Sequence, residues 1–173
     1  SEMCKTSLVF IHNAPRSGST DGKKSIEAQQ FYIKLAQRIM HLLNTKTLFG
    51  QLYETDLRLR PSGNAGLLCC HINGFEKYQV EEAWTWEHQA LVRARAICGD
   101  ASLLDNFAQV RHSILSQSRD TQTLSQDVCK MRIKMREHLL AKNNEKVDLK
   151  QCEGGITDIE FIAQYLVLAN ACT

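Results

Sequence analysis

Between Tyr53 and Gly63 the chain reads Tyr53-Glu54-Thr55-Asp56-Leu57-Arg58-Leu59-Arg60-Pro61-Ser62-Gly63, with a charge at every second position from 54 to 60. Alternation of period two marks a half-buried strand. It sets Tyr53, Thr55, Leu57 and Leu59 on one face and Glu54, Asp56, Arg58 and Arg60 on the other. Two carboxylates and two guanidinium groups in one row suit a site that holds a metal ion and a phosphate together. The same pattern also fits a solvated edge strand whose Glu and Arg side chains pair along it. A second candidate set lies near residue 160. Thr157, Glu160 and Gln164 fall three and four apart, a polar stripe on an otherwise apolar helix. A carboxylate in such surroundings needs a partner, so Glu160 must be paired. Gly154-Gly155 just ahead permits close backbone approach, and a helix N-terminus favours anions. Glu153 and Asp158 compete for that position as capping groups, and a purely structural reading pairs the stripe with Arg93 and Arg95.

These residues need elements to hold them. Leu8 to Ile11 reads as a buried strand, and Asn13 to Gly22 as a flexible loop. Ser25 is expected to cap a helix reaching His41 or Asn44, with Tyr32, Leu35, Ala36, Ile39 and Leu43 facing the core. After the charged strand, Pro61-Ser62-Gly63 turns the chain and Gly66-Leu67-Leu68 returns it as a short strand. Asn73 caps a helix through Tyr78; a short helix at Glu87–Leu91 leads into a strand over 92–98, closed by Gly99-Asp100. Beyond Asp100 only helical patterns occur: Ser102–Ser116, then Leu124–Leu140 with Leu124, Val128, Met131, Met135 and Leu139 on one face. The last helix, Ile156 to Ala169, is apolar nearly all round and is expected to be central and buried. The fold class is therefore α+β: a small sheet with helices over 1–99, followed by an all-helical bundle over 100–173.

Composition excludes several classes. Of 173 residues, 43% are hydrophobic and 23% charged, as in ordinary soluble domains, and a net charge of +2 argues against nucleic acid or a membrane surface. No run approaches a membrane span and no signal peptide is evident. Seven cysteines without any Cys-x-x-Cys pair predict free thiols in the cytoplasm, Cys69 and Cys70 being buried rather than ligands. The six histidines show no zinc-ligand spacing.

Three blocks, in order, resemble one family. They are the run from Tyr53 to Gly63, the run Glu81-Glu82-Ala83-Trp84-Thr85-Trp86-Glu87-His88-Gln89-Ala90-Leu91-Val92-Arg93-Ala94-Arg95, and Gly154-Gly155-Ile156-Thr157-Asp158-Ile159-Glu160-Phe161-Ile162-Ala163-Gln164-Tyr165-Leu166. The likeness is to the glutamate–ammonia-ligase (glutamine synthetase) adenylyltransferases, and the Trp-Glu-His-Gln-Ala-Leu wording is similar to their C-terminal half. The resemblance implies a polymerase-β-like nucleotidyltransferase fold in a large bifunctional enzyme. One half moves AMP from ATP to a tyrosine of glutamine synthetase; the other removes it by phosphorolysis, under control of the P-II signal protein and glutamine. It implies Mg²⁺, with two ions about 3.5–4 Å apart clamping the attacking and departing oxygens. Three strand aspartates hold such ions in the superfamily, and Asp56 stands at the third position. By the same resemblance Arg58 and Arg60 steady the triphosphate, while Glu54, Arg93, Arg95 and Glu160 belong to the surrounding cleft.

The amino-terminal residues depart from the family. Aligning Leu8-Val9-Phe10-Ile11 with the family's first strand places its Asp-x-Asp pair at Lys5 and Ser7 and its Gly-Ser turn at Met3 and Cys4. A lone carboxylate beside a lysine is a poor magnesium site. The expectation is an enzyme fragment incomplete in its metal ligands. One alternative is a non-catalytic module binding glutamine synthetase or the P-II protein. Another is a relative of the P-II uridylyltransferase, against which the Arg-Leu-Arg-Pro-Ser-Gly and Trp-Glu-His-Gln wording speaks.

Overall fold

The computed structural model describes residues 5–51, 54–140 and 149–171. Met3, Cys4, Tyr53 and Cys172, and the side chains of Lys5 and Leu139, lie outside the described residues. The chain forms an α+β fold, and its described part divides into two compact units. Ser1–Glu82 with Gly99–Asn106 makes up the first, and Ala83–Cys98 with Phe107–Thr173 the second.

The first unit is built on two short parallel ladders. Strand β1 (Lys5–Ser7) and strand β2 (Phe10–His12) follow each other along one stretch of chain. Helix α1 (Ala28–Asn44) comes next and provides the crossover that parallel pairing requires. Strand β3 (Glu54–Asp56) pairs with β1 in the register Lys5↔Glu54, Thr6↔Thr55, Ser7↔Asp56. Strand β4 (Cys69–His71) pairs with β2 in the register Phe10↔Cys69, Ile11↔Cys70, His12↔His71. Helix α2 (Ile72–Glu81) leaves β4 directly, and Ile72 and Phe75 join Ala36 and Cys69 among the buried apolar residues.

Several boundaries differ from the sequence expectation for identifiable reasons. Ser25 does not cap α1: its hydroxyl donates to the Thr20 carbonyl at 2.8 Å, and the helix starts at Ala28. Leu35, expected in the core, is 43% exposed. The expected return strand at 66–68 lies further on, at Cys69–His71, and Asn73 is not the cap of α2. His71 holds that place, its Nδ1 accepting the Asn73 N–H at 3.1 Å. Between α1 and β3, Thr47 and Gly50 exchange backbone hydrogen bonds of 2.9 and 3.0 Å, and Leu48 and Phe49 stand fully exposed at the tip. Gly50 has φ +100°, a conformation that glycine adopts without strain.

The second unit is helical. Helix α3 (Thr85–Arg93) begins where the Trp84 N–H donates to Glu87 Oε2 at 2.9 Å. Helix α4 (Ala101–Leu115) comes next in the chain, followed by α5 (Thr121–Leu140) and α6 (Ile156–Asn170). Leu91, Val110, Ile114, Leu115, Leu124, Val128 and Leu168 are the buried apolar side chains of this unit. The strand expected over 92–98 does not form; α3 continues to Arg93, and residues 94–98 have no regular structure. Arg111 anchors the end of α3 by donating to the carbonyls of Leu91 at 2.9 Å and Val92 at 2.6 Å, which takes the acceptors a ladder would need. Among the described residues no helix is long and apolar enough to cross a membrane.

Candidate functional site

The sheet unit carries Glu54, Asp56, Arg58 and Arg60, but not in one row. The strand ends at Asp56, because the Asp56 carboxylate turns back on its own chain. Its Oδ1 accepts the Arg58 backbone N–H at 2.9 Å, and such local side-chain bonds compete with strand pairing. The Arg58 guanidinium then grips both carboxylate oxygens, Nε at 3.0 and 2.9 Å and Nη2 at 2.5 Å. That bidentate pair raises the Arg58 pKa above its usual value, the hydrogen bond to Asp56 being the largest cause. Arg60 is drawn into the following turn, where it donates to the carbonyls of Leu57 at 2.9 Å, Asn64 at 3.3 Å and Gly66 at 3.3 Å. Ser62 at φ 59° completes that turn. Glu54 is exposed. Ser7, also exposed, lies directly across the ladder from Asp56, and the Leu8 N–H donates to the Asp56 carbonyl at 2.9 Å.

A buried polar cluster on the other ladder carried no signal in the sequence. His12 is 4% exposed, with Nε2 2.8 Å from Gln29 Oε1 and its Nδ1 accepting the Ala14 N–H at 3.3 Å. Gln29 in turn donates to the Cys69 carbonyl at 2.7 Å, which ties α1 to β4. The His12 ring stacks on Tyr32, 4.9 Å between centroids, and meets His71 edge-on at 5.3 Å. Burial pushes the Cys69 thiol up to about 12 and the Cys70 thiol up to about 11, so both are protonated, unreactive groups.

The helical unit carries Arg93, Arg95 and Glu160. Glu160 has the partner its position demands: Arg93 Nη1 donates to Oε1 at 2.8 Å. Arg95 is exposed in the segment after α3. Gln89, 2% exposed, donates to Gln164 Oε1 at 3.2 Å across α3 and α6, so the polar stripe of α6 faces inward. This reverses the expected helix: Thr157 and Gln164 are buried while Ile156, Ile159, Ile162 and Leu166 are exposed. Trp84 too is exposed, at 70%.

Ahead of α6, the glycine pair sits under a clamp of charges. Asp158 accepts the Gly154 N–H at 2.8 Å, as a capping carboxylate does. Arg132 of α5 is buried against Asp158 and donates to the Gln151 carbonyl at 2.8 Å. Arg136 reaches Asp158 at 3.3 Å and Glu153 at 3.5 Å. These bonds hold the Asp158 carboxyl below the usual carboxylate range, Arg132 contributing most. Arg132 and Arg136 are not among the residues the family-like blocks contain, although their spacing of four, opposite an acidic helix start, is a readable signal.

The family model for glutamate-ammonia ligase adenylyltransferase matches residues 5–110. A bifunctional glutamine synthetase adenylyltransferase/adenylyl-removing enzyme of Alteromonas mediterranea is 85% identical over 164 residues, 95% of this chain. The chain belongs to the glutamate-ammonia ligase adenylyltransferase family. Proteins of the same description from Idiomarina loihiensis and Shewanella frigidimarina are each 58% identical over 164 residues. The chain spans 17% of the length of these relatives. Of the three family-like blocks, the first lies on β3 and its turn, the second runs from the end of α2 through α3, and the third is the start of α6 with its glycine pair.

Proposed function

We propose that this chain is part of an enzyme that transfers AMP from ATP to a tyrosine of glutamine synthetase, and that it lacks a complete metal site. The carrying observation is the β1–β3 register, which sets Ser7 beside Asp56 and Lys5 beside Glu54. A nucleotidyltransferase sheet would need carboxylates at positions 5 and 7 to share magnesium with Asp56. The residues present do not fit that ion. Among the described residues no group of three or more His, Cys, Asp or Glu side chains can hold a metal. Arg58 covers both Asp56 oxygens, the places a cation would take.

The relatives' name supports glutamine synthetase as the partner. The resemblance of the three blocks adds ATP as substrate, the P-II protein as regulator, and the cytoplasm as the compartment. In this reading Asp56 is the surviving ligand, and Glu54, Arg93, Arg95 and Glu160 belong to the surrounding cleft. Arg58 and Arg60 would have to leave Asp56 and the turn carbonyls to meet phosphate charge. The domain reading keeps a partial palm over 1–99 and a helical domain over 100–173.

The test is transfer of labelled AMP from ATP to glutamine synthetase by the full-length polypeptide. We expect no transfer with Lys5 and Ser7 in place and metal-dependent transfer after Lys5→Asp with Ser7→Asp. That recovered activity should vanish on Asp56→Ala. Transfer at an ordinary family rate before repair, or indifference of the repaired protein to Asp56→Ala, overturns the reading. Binding to immobilised glutamine synthetase without transfer would favour the non-catalytic module.

A further inference from the structure

The connection between α1 and β3 presents two apolar side chains on a fixed backbone. Leu48 and Phe49 stand fully exposed there. Besides the backbone bonds between Thr47 and Gly50, Thr47 Oγ1 donates to the Gly50 carbonyl at 2.9 Å and accepts the Phe49 N–H at 3.2 Å. The base of the tip is tied to both flanking elements. Asn44 Oδ1, at the end of α1, accepts from Gln51 Nε2 at 3.3 Å and from Thr55 Oγ1 at 2.8 Å, and Thr55 adjoins Asp56 in β3. The surface leading to the tip carries one sign of charge. Phe31, Lys34, Leu35, Arg38, His41 and Leu42 recur three and four apart and are all exposed, so they form a single stripe along α1. From Ala28 to Gln51 the chain carries Lys34, Arg38, His41 and Lys46 but no carboxylate, although 19 of its 173 residues are acidic. Single exposed leucines are ordinary, but an apolar tip beside a stripe of cations that no acid on the same segment offsets complements an acidic, partly apolar partner.

We propose that the Leu48-Phe49 tip and the exposed stripe of α1 form the surface that docks the protein substrate, with both side chains entering an apolar pocket on glutamine synthetase rimmed by aspartate or glutamate. This rests on the reading of glutamine synthetase as the substrate and adds where it is held. Transfer to a side chain of a folded protein draws on binding energy from parts remote from the reacting atoms. The tip is placed to supply it, because Asn44 links it to Thr55, one residue from Asp56. The fixed backbone favours a shaped protein pocket over a lipid surface. Preorganised anchors gain affinity where the partner has a matching form, and a bilayer has none. Lys46 beside the tip, with Arg38 and Lys34 along α1, meets the acidic rim.

The experiment measures binding of the full-length polypeptide to immobilised glutamine synthetase, which needs no AMP transfer. Leu48→Ser with Phe49→Ser should raise Kd at least about tenfold. Val80→Ser, which removes an apolar side chain 56% exposed on α2, should leave Kd within about twofold. Both variants should keep the parent circular dichroism. Binding should weaken with salt, and Lys46→Glu should flatten that dependence. A photo-crosslinking benzophenone side chain in place of Phe49 should link to glutamine synthetase. Binding that survives the double substitution overturns the docking surface and leaves glutamine synthetase in place as the substrate. No binding by the unaltered polypeptide overturns that reading and the docking surface with it. A crosslink within the same chain, or tip-dependent binding to phosphatidylserine vesicles, overturns the proposal as well.

Discussion

Replacing Arg132 with methionine removes one buried guanidinium and keeps most of its aliphatic volume. The side chain is 8% exposed and Asp158 20% exposed, so the pair is screened only in part. Three losses follow: the charge-assisted bond to Asp158, the 2.8 Å bond to the Gln151 carbonyl, and the placement over the Phe161 ring at 5.9 Å. Breaking a fully buried pair costs about 3–5 kcal/mol. Asp158 keeps the Gly154 N–H and Arg136, which moves the expected cost to the low end, about 2–3 kcal/mol. Urea unfolding followed by helical circular dichroism should show a midpoint lower by about 1 M, at slopes of about 1–3 kcal/mol/M. The pair's pH dependence has a definite sign. Because the Asp158 pKa is depressed in the fold, its contribution is fully present above the unfolded value of about 3.9 and is lost as pH falls through the folded value. The methionine variant should lose most of that acid sensitivity. A destabilisation under about 0.5 kcal/mol, or additivity with Asp158→Asn in a double-mutant cycle, refutes the clamp.

Arg93→Ala removes an ion pair whose side chains are 61% and 35% exposed, so its cost should stay under about 1 kcal/mol and shrink further in high salt. Gly66→Ala should be far worse than its size suggests, because the added Cβ would lie 1.8 Å from the Pro61 carbonyl oxygen. A loss of at least about 2 kcal/mol by thermal unfolding is expected, and a neutral outcome would show that the turn rearranges freely. Acid should loosen the start of α2. The His71 pKa is lowered by burial first and by His12 and Arg16 second, and the protonated ring no longer accepts the Asn73 N–H. This capping contribution is whole above the unfolded value of about 6.5 and is lost as pH falls through the lower folded value. The protection factor of the Asn73 amide, the exchange rate of an unstructured peptide at the same pH divided by its own, should therefore fall on acidification, and His71→Ala should abolish that response.

Long periodic segments were readable in advance because their period reports backbone geometry directly. The helices at 101–115, 121–140 and 156–170 lie within a few residues of the reading, and Glu160 found the arginine it needed at position 93. The charged run at 54–60 was not readable in full. Its alternation holds for any extended strand, but the Asp56 carboxylate accepts the Arg58 N–H and ends the ladder after three residues. Position 92–98 failed for a non-local reason: Arg111, some twenty residues away, holds the last carbonyls of α3. The burial of α6 is not legible in its composition, because hydropathy tells how much apolar surface a helix has, not which element covers it. Ser7 beside Asp56 was accessible only through the family alignment, since pairing across about fifty residues leaves no local trace.

The Leu48-Phe49 tip also separates the chain into two pieces that need each other. An aromatic-specific protease should nick after Phe49, because the bond stands on a fully exposed tip between Thr47 and Gly50. The cut leaves β1 and α1 on one fragment and β3 on the other, still joined by the ladder from Lys5↔Glu54 to Ser7↔Asp56. The sheet unit thus has a natural seam for fragment complementation, at which residues 5–7 can be exchanged chemically while Asp56 remains on the untouched half.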